Sequence, residues 1–158
     1  MRCACRRRTV QDMQREDYLL RMIADTGRIL AHVRRLLFQG RSSDAHAELE
    51  RAARQGGIDL GLVINLDEAS LRPLLLSGGE FDRPKCAFFA ELAYLEWRRR
   101  LVAESPERAD SVARRALLLY ALAYEGIVMD DATVQHIAEL QGRSAPGELS
   151  DGTVDLPR

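Results

Sequence analysis

Few residues in this chain have the types and the spacing that chemistry requires. Cys3 and Cys5 form a Cys-x-Cys pair that could chelate a thiophilic metal ion, but a closed zinc site needs four ligands and no second pair follows nearby. His32, His46 and His136 are far apart in the sequence and lack ligand spacing, and we expect them at the surface or between helices. The sequence therefore predicts no metal site.

Motifs for acid–base, nucleophilic or cofactor chemistry are weak as well. Asp130 and Asp131 could act as a carboxylate pair, but neighbouring acids at a helix start also complement the helix dipole, and we favour that role. Cys86 stands among Phe88 and Phe89 and is expected to be a buried thiol. The glycines of "SGGEFD" lack the strand and the Lys-Ser/Thr of a phosphate loop, so they predict a turn. We expect a protein that is not an enzyme and binds no cofactor.

The charge pattern offers little to nucleic acid. The formal net charge is -1, so no global field attracts a polyanion or an anionic membrane. Ala138 and Gly142 have a helix-turn-helix spacing, but a proline, glycines and acids follow where a recognition helix should stand. The arginines at 98–100 could touch phosphate, yet pairing of Glu96 with Arg100 favours a solvated helix face. Nucleic-acid binding is therefore kept only as a remote alternative function.

The length and composition predict one soluble domain in the cytoplasm. A chain of 158 residues, 46% of them apolar, can form a sizeable core. Its three cysteines form no even disulfide framework, which indicates a reducing compartment. The longest apolar run, "ALLLYALAY" at 116–124, covers nine residues, where a membrane span needs ~20. It predicts a buried helix and no contact with a membrane.

The elements that must position these residues are helices. Apolar residues at spacings of three and four predict a long amphipathic helix over about 15–38. Gly40 suits a left-handed C-terminal cap, and Ser42 or Ser43 can cap a second helix that ends near Gln55. A helix, a short turn and a second helix form an αα-hairpin.

The middle of the chain interrupts this pattern. The stretch "GGIDLGLVINLDEASLRPLLLSGGEFDRP" contains five glycines and two prolines around two short apolar runs, so it predicts a connector. We expect one short helix near 68–77, capped by Ser70, because Pro73 then falls in its first turn. "IDLGLVI" could be a strand, but no second convincing run exists to pair with it.

Three further helices are predicted towards the end of the chain. Asp82 caps the first, which runs to about Glu104, and Ser105 caps the second. Asp130 caps a last helix that ends near Gln141. The second of these helices should lie centrally, because its apolar face is wide: Ala109, Val112, Ala113, Ala116, Tyr120, Ala123 and Ile127, with leucines at its edges.

The predicted boundaries follow from these patterns. Residues 1–12 are interpreted as a flexible extension or a misplaced start, because the apolar stripe begins only after Met13. Residues 13–141 form the single helical domain, and residues 142–158, which are rich in helix breakers, form a disordered tail.

Two segments resemble helical hairpins of the tetratricopeptide family. "RILAHVRRLLFQGRSSDAHAELERAAR" matches the small and large positions of that family at Gly40, Ala45, Leu49 and Ala52. "LAYLEWRRRLVAESPERADSVARRALLLY" matches less fully, at Ala109, Ala116 and Leu117. In this second segment Glu104 stands for the turn glycine, Trp97 for the small residue of the first helix and Ala113 for a large one. The resemblance implies an all-α bundle of about five to six helices arranged as αα-hairpins.

A wider resemblance covers about residues 13–125. The opening "REDYLLRMI", the following long helix, "GRSSDAHAELE", the Leu-rich middle, "SGGEFD" and the closing hairpin resemble an uncharacterised bacterial helical family. No catalytic motif is established for that family, so this resemblance bears on architecture.

The tetratricopeptide resemblance implies a function in protein association. Hairpins of this kind hold a peptide or partner helix on the inner face of each first helix. Arginines there would meet carboxylates, and a tyrosine would add apolar contact. The register places six residues on that face: Leu30, Arg34, Leu37, Tyr94, Arg98 and Leu101. The competing hypothesis is a homodimer formed through the long first helix.

Overall fold

The computed structural model describes residues 10–104 and 106–143, and this part of the chain is almost entirely helical. Its elements, in order, are α1 (Val10–Phe38), α2 (Ser42–Gln55), α3 (Leu60–Asn65), α4 (Glu68–Leu71), a 3-10 turn (Arg72–Leu75), β1 (Leu76–Ser77), β2 (Glu80–Phe81), α5 (Arg83–Ala103), α6 (Pro106–Tyr124) and α7 (Asp131–Arg143). The predicted all-α class is confirmed. Among the helices of these residues, none combines the length and apolar character that a membrane span requires.

The first two helices form the predicted antiparallel pair. Gly40 has a φ of +72°, which a residue with a side chain adopts only with strain. This turn lets the Arg41 N–H bond the Leu36 carbonyl oxygen at 2.9 Å. The N-terminal cap of α2 is Arg41 without a side-chain hydrogen bond, so neither predicted serine caps the helix. α1 begins at Val10, earlier than predicted.

The connector is more structured than one short helix. Asp67, and not Ser70, caps α4, because its side chain accepts a hydrogen bond from the Ser70 N–H at 2.9 Å. Helix α4 then ends before Pro73, which lies in the following 3-10 turn. The "IDLGLVI" stretch forms α3 and not a strand. The prediction of a single helix over 68–77 is therefore wrong in its boundaries and its cap.

The predicted turn at "SGGEFD" is confirmed, with a short hairpin around it. Gly78 and Gly79 have φ values of +63° and +86°, the pattern of a two-residue type I′ turn. Ser77 pairs with Glu80 and Leu76 with Phe81. The strands are two residues each, which is why the sequence shows no alternation for them.

Helices α5 and α6 form the centre of the bundle. Asp82 caps α5, accepting the Lys85 N–H at 3.1 Å, as predicted. The predicted face of α6 is buried from Ala109 to Ala123, and its small side chains let the helices approach closely. Ile127 is the exception, because α6 ends at Tyr124 and Ile127 is 49% exposed. The predicted cap Ser105 lies outside the described residues.

Helix α7 packs against α6 and extends across α5 towards α1. Asp130 accepts the Thr133 N–H at 2.7 Å and caps this helix, as predicted. The helix continues through Gly142 to Arg143 instead of ending near Gln141. Cys86 is fully buried in the single core, as predicted, and burial raises the pKa of its thiol to about 11.

Candidate functional site

His136 of α7 is the point where polar side chains from four helices meet. Its Nε2 lies 2.9 Å from Arg34 Nη2 of α1. Its Nδ1 lies 3.2 Å from Glu91 Oε1 of α5 and 3.4 Å from the Tyr120 hydroxyl of α6. The residue is only 7% exposed. His136 therefore lies between helices, which is one of the two positions predicted for it, and not at the surface.

The hydrogen bonds around His136 assign its tautomer. Arg34 can only donate, so Nε2 must accept and Nδ1 carries the proton. Nδ1 then donates to Glu91 Oε1, which also accepts a 2.7 Å hydrogen bond from the Tyr120 hydroxyl. Burial and the nearby Glu91 charge raise the pKa of Tyr120, so this hydroxyl remains a donor.

Glu91 is the residue in this group whose bonding is incomplete. Both donors converge on Oε1, whereas Oε2 is buried and has no hydrogen-bond partner among the described residues. A buried carboxylate oxygen without a donor costs free energy, because it has lost its hydration without replacement. Such an atom indicates a place where another group can bind.

Glu91 also lines a cleft of about 540 Å³. We call this the Glu91 cleft; it is bounded by α1, the first half of α5, the end of α6 and the start of α7. Its wall is mostly apolar and includes Leu30, Ala87, Phe88, Ala123 and Ile127. An apolar wall with a few convergent polar groups is typical of a binding site.

A second depression of about 600 Å³ lies between the last turns of α5 and α7. We call it the Arg98 cleft; its lining residues are Trp97, Arg98, Leu101, Val102, Ala138, Glu139 and Gly142. Arg98 is exposed, and its guanidinium lies 5.9 Å from the centre of the Tyr94 ring, within the range of a cation–π contact.

Tyr94 separates the two clefts. Its hydroxyl donates to Glu139 Oε2 of α7 at 2.7 Å and accepts from Arg98 Nη1 at 3.3 Å. Burial and the hydrogen bond to Glu139 raise the pKa of Tyr94 to about 12. The pKa of Glu139 is lowered in turn, chiefly by the hydrogen bond from Tyr94. Through Tyr94 and Arg34, α7 is attached to both α5 and α1.

The six predicted partner-binding residues divide into three groups. Leu30 and Arg34 line the Glu91 cleft, and Arg98 and Leu101 line the Arg98 cleft. Leu37 is half-buried against the core and lines neither cleft.

Tyr94 is the predicted site residue whose role must be corrected. It is 1% exposed, because His136 and Glu139 of α7 cover it. In this structure it has no surface left for an apolar contact with a partner. The sequence register placed it on the inner face of α5 but could not show that α7 lies over that face.

Sequence reasoning also missed the importance of Glu96. This carboxylate is 0% exposed and accepts two 2.8 Å hydrogen bonds from Arg99, one of 2.9 Å from Arg100 and one of 3.2 Å from His46. Burial alone would raise its pKa, but the hydrogen bonds from Arg99 and Arg100 outweigh that effect and lower it. The solvated face predicted around 98–100 is wrong for Arg99, which is 8% exposed.

The Glu96 network joins α2 to α5. Arg99 Nη1 also donates to Ser42 Oγ of α2 at 3.2 Å, and its Nη2 donates to Glu104 at 3.0 Å. The sequence signal for both Glu91 and Glu96 was available: each is an acid within the apolar stretch "CAFFAELAYLEW" of a helix that is buried on most sides. Acids at such positions are rarely tolerated unless they are paired.

The remaining candidate chemistry is not assembled. Within the described ranges, no group of three or more His, Cys, Asp or Glu side chains could hold a metal ion. Cys3 and Cys5 lie outside those ranges. His46 belongs to the Glu96 network and His32 to a pair with Arg35, at 2.8 Å.

Comparison of the chain with protein-family models, with curated proteins and with solved structures found no match in any of the three. The resemblances to tetratricopeptide hairpins and to the bacterial helical family therefore stay predictions.

Proposed function

We propose that this protein is a non-catalytic protein-interaction module that binds an extended or helical partner segment on the face formed by α1, α5 and α7. One observation carries the proposal. Arg34 and Arg98, one from each predicted hairpin, lie at the ends of a continuous row of contacts, Arg34–His136–Tyr94–Arg98, with a cleft at each end.

The chemistry of this face favours a partner with acidic and apolar residues. Both arginines are exposed, and guanidinium groups bind carboxylates with two parallel hydrogen bonds. Leu30 and Leu101 supply apolar wall next to them. Helix α7 already places one carboxylate on this face: Glu139 accepts a hydrogen bond from the Tyr94 hydroxyl, which in turn accepts one from Arg98.

The proposal extends to architecture and location. We regard the α1–α2 and α5–α6 pairs as tetratricopeptide-like hairpins of the bacterial helical family that the sequence resembles. Their first helices, α1 and α5, supply the inner face, as the family register predicts. The cysteine usage supports a cytoplasmic location.

Reversing the charge of the two arginines tests this proposal. Full-length protein is used to capture partners from its source cells in wild-type form, as Arg34→Glu/Arg98→Glu and as Arg54→Glu/Arg114→Glu. The control pair is exposed and lines neither cleft. A specific partner should be retained by the wild type and the control and lost from the Arg34/Arg98 variant. If that variant retains every captured partner, the proposed face is wrong.

Self-association is the second candidate, and a separate observation favours it. Phe38 is 94% exposed and Val102 is 83% exposed, although both are large apolar residues at the last turns of α1 and α5. The 3.2 Å hydrogen bond from Arg99, near the end of α5, to Ser42, just after the end of α1, places those two helix ends at the same end of the bundle. Light scattering of the full chain decides this: a dimer that Phe38→Ser/Val102→Ser converts to a monomer supports the second candidate, and a monomeric wild type contradicts it.

A further inference from the structure

We propose that the Glu91 cleft is a small-molecule site that binds an organic amine, with the ammonium group donating to Glu91 Oε2 and the apolar body lying on the cleft wall. This site goes beyond the proposed function, because it requires no partner protein and its acceptor is Glu91, not Arg34 or Arg98.

In the described part of the chain, the Glu91 carboxylate lacks a hydrogen-bond donor on one of its two oxygens. Its Oε1 is saturated by the Tyr120 hydroxyl at 2.7 Å and by His136 Nδ1 at 3.2 Å, whereas the buried Oε2 has no donor within the described residues. The whole side chain is 14% exposed. A ligand that donates to Oε2 completes a hydrogen-bond network that is otherwise half satisfied.

The charges around the Glu91 cleft favour a cationic ligand. The cations nearest the cleft are directed elsewhere: Arg34 Nη2 donates to His136 Nε2, and Arg83 Nη1 donates to the Glu125 carbonyl oxygen at 2.6 Å. Both arginines are exposed, so water and salt screen them more than they screen the buried oxygen. An ammonium group at Oε2 therefore gains more from Glu91 than it loses to the arginines.

The same charges disfavour an anionic ligand. A carboxylate placed next to Oε2 would put two like charges in contact inside the cleft, which raises the free energy of binding. Asp130, on the α7 side of the cleft, adds a second negative charge. A neutral alcohol can donate to Oε2 but lacks the charge, and hydrogen bonds to charged groups are stronger when the donor is charged too.

The size and the apolar wall of the Glu91 cleft fit a small organic ligand. The volume of about 540 Å³ falls within the range of ligand sites, roughly 300 to 1,000 Å³. A lone lysine side chain would leave most of it unfilled. Leu30 and Phe88 offer apolar wall on opposite helices, α1 and α5, so an aromatic or branched aliphatic body between them buries apolar surface.

A matched set of ligands tests the inference. Full-length protein labelled with nitrogen-15 is titrated with 2-phenylethylamine, 2-phenylethanol and 3-phenylpropanoate while amide chemical shifts are followed. The amine should bind about ten-fold more tightly than the alcohol, and the acid should bind least. The largest shifts should come from residues of the cleft, such as Leu30 and Thr133.

Two variants locate the site. Glu91→Gln keeps the shape of the side chain but removes the charge, so it should lower amine affinity about ten-fold while leaving alcohol affinity nearly unchanged. Glu107→Gln, an exposed acid of α6, should change neither. Ala132→Phe, at an exposed position of the cleft lining, should block all three ligands, and a thermal melt confirms that each variant is folded.

Three results would overturn the inference. They are no amine-induced shifts at millimolar concentration, equal binding of the acid and the amine, or unchanged amine binding in folded Glu91→Gln. Retention of every captured partner by the Arg34/Arg98 variant would refute the proposed function and leave this inference intact, so the two failures are separately observable.

Discussion

The ring of His136 stacks on the ring of Tyr94, with 4.0 Å between their centroids and 18° between their planes. His136 belongs to α7 and Tyr94 to α5. Each side chain also has a hydrogen bond to another helix: His136 Nε2 accepts from Arg34 of α1, and the Tyr94 hydroxyl donates to Glu139 of α7. Helix α7 is thus held against the face that the sequence assigned to a partner. The part of the proposed partner surface that stays open consists of the two clefts at the ends of this contact.

Removal of the Tyr94 hydroxyl should loosen α7. Tyr94→Phe keeps the stack with His136 but removes the donor to Glu139, so the free energy of unfolding should fall by about 1 kcal/mol. Glu139 is partly exposed, and water can replace the lost donor, which limits the effect. Urea unfolding measures the change, and a double-mutant cycle with Glu139→Ala, which removes the acceptor, should give a coupling of similar size. Additive effects of the two substitutions would show that this hydrogen bond does not contribute to stability.

The Glu96 network should be far more sensitive than an exposed ion pair. Glu96→Ala leaves the guanidinium of Arg99 buried without its main partner, and the free energy of unfolding should fall by about 3 to 5 kcal/mol. The matched control is Glu48→Ala, which breaks the more exposed pair with Arg51 in α2 and should cost less than about 1 kcal/mol. Equal losses for the two variants in urea unfolding would show that burial is not the cause.

The same carboxylate predicts a dependence of stability on pH. Although burial raises it, the pKa of Glu96 is held below its ordinary 4.5 by Arg99 and Arg100. A carboxyl with a lowered folded pKa stabilises the protein above its unfolded pKa and loses this contribution as the pH falls through the folded value. The stability difference between wild type and Glu96→Gln should therefore shrink below pH 4.5. Urea unfolding at a series of pH values measures it; a constant difference would refute the lowered pKa.

Cys86 should be chemically silent in the folded protein. It is fully buried, and burial raises the pKa of its thiol to about 11, so almost no thiolate exists at neutral pH. Iodoacetamide should label Cys86 only after unfolding, as read by mass spectrometry of the peptide that contains it. The experiment uses a Cys3→Ser/Cys5→Ser variant, in which Cys86 is the one remaining thiol. Rapid labelling under native conditions would mean that α5 opens locally.

Gly56 should be intolerant of a methyl group for a steric reason. A Cβ at this position would lie 2.6 Å from Phe88 Cε1 and 3.0 Å from Phe89 Cζ, and Gly56→Ala should cost about 1 to 3 kcal/mol through overpacking. Gly61→Ala is the control, because this α3 glycine has nothing within 4 Å of an added Cβ. That change should stabilise α3 by about 0.5 to 1 kcal/mol. Thermal melts that rank the two variants in the opposite order would contradict the packing.

The sequence by itself determined the all-α class and most of the helix boundaries. Gly40, Asp82 and Asp130 mark helix ends correctly, because a cap is formed between residues a few positions apart and needs no distant partner. The apolar face of α6 was also predictable, since a stripe at helical spacing must be buried somewhere.

Only the tertiary structure decided where α7 lies, and that placement made the candidate site. Arg34, Glu91, Tyr120 and His136 belong to four helices, and no spacing in the sequence relates them. The Glu96 network likewise looked like an exposed helical pair, because its burial depends on α2 packing over α5. Many weak packing contacts over the whole bundle together determine which faces of the helices meet. A local sequence pattern cannot predict this, because most of those contacts join residues that are far apart in the sequence.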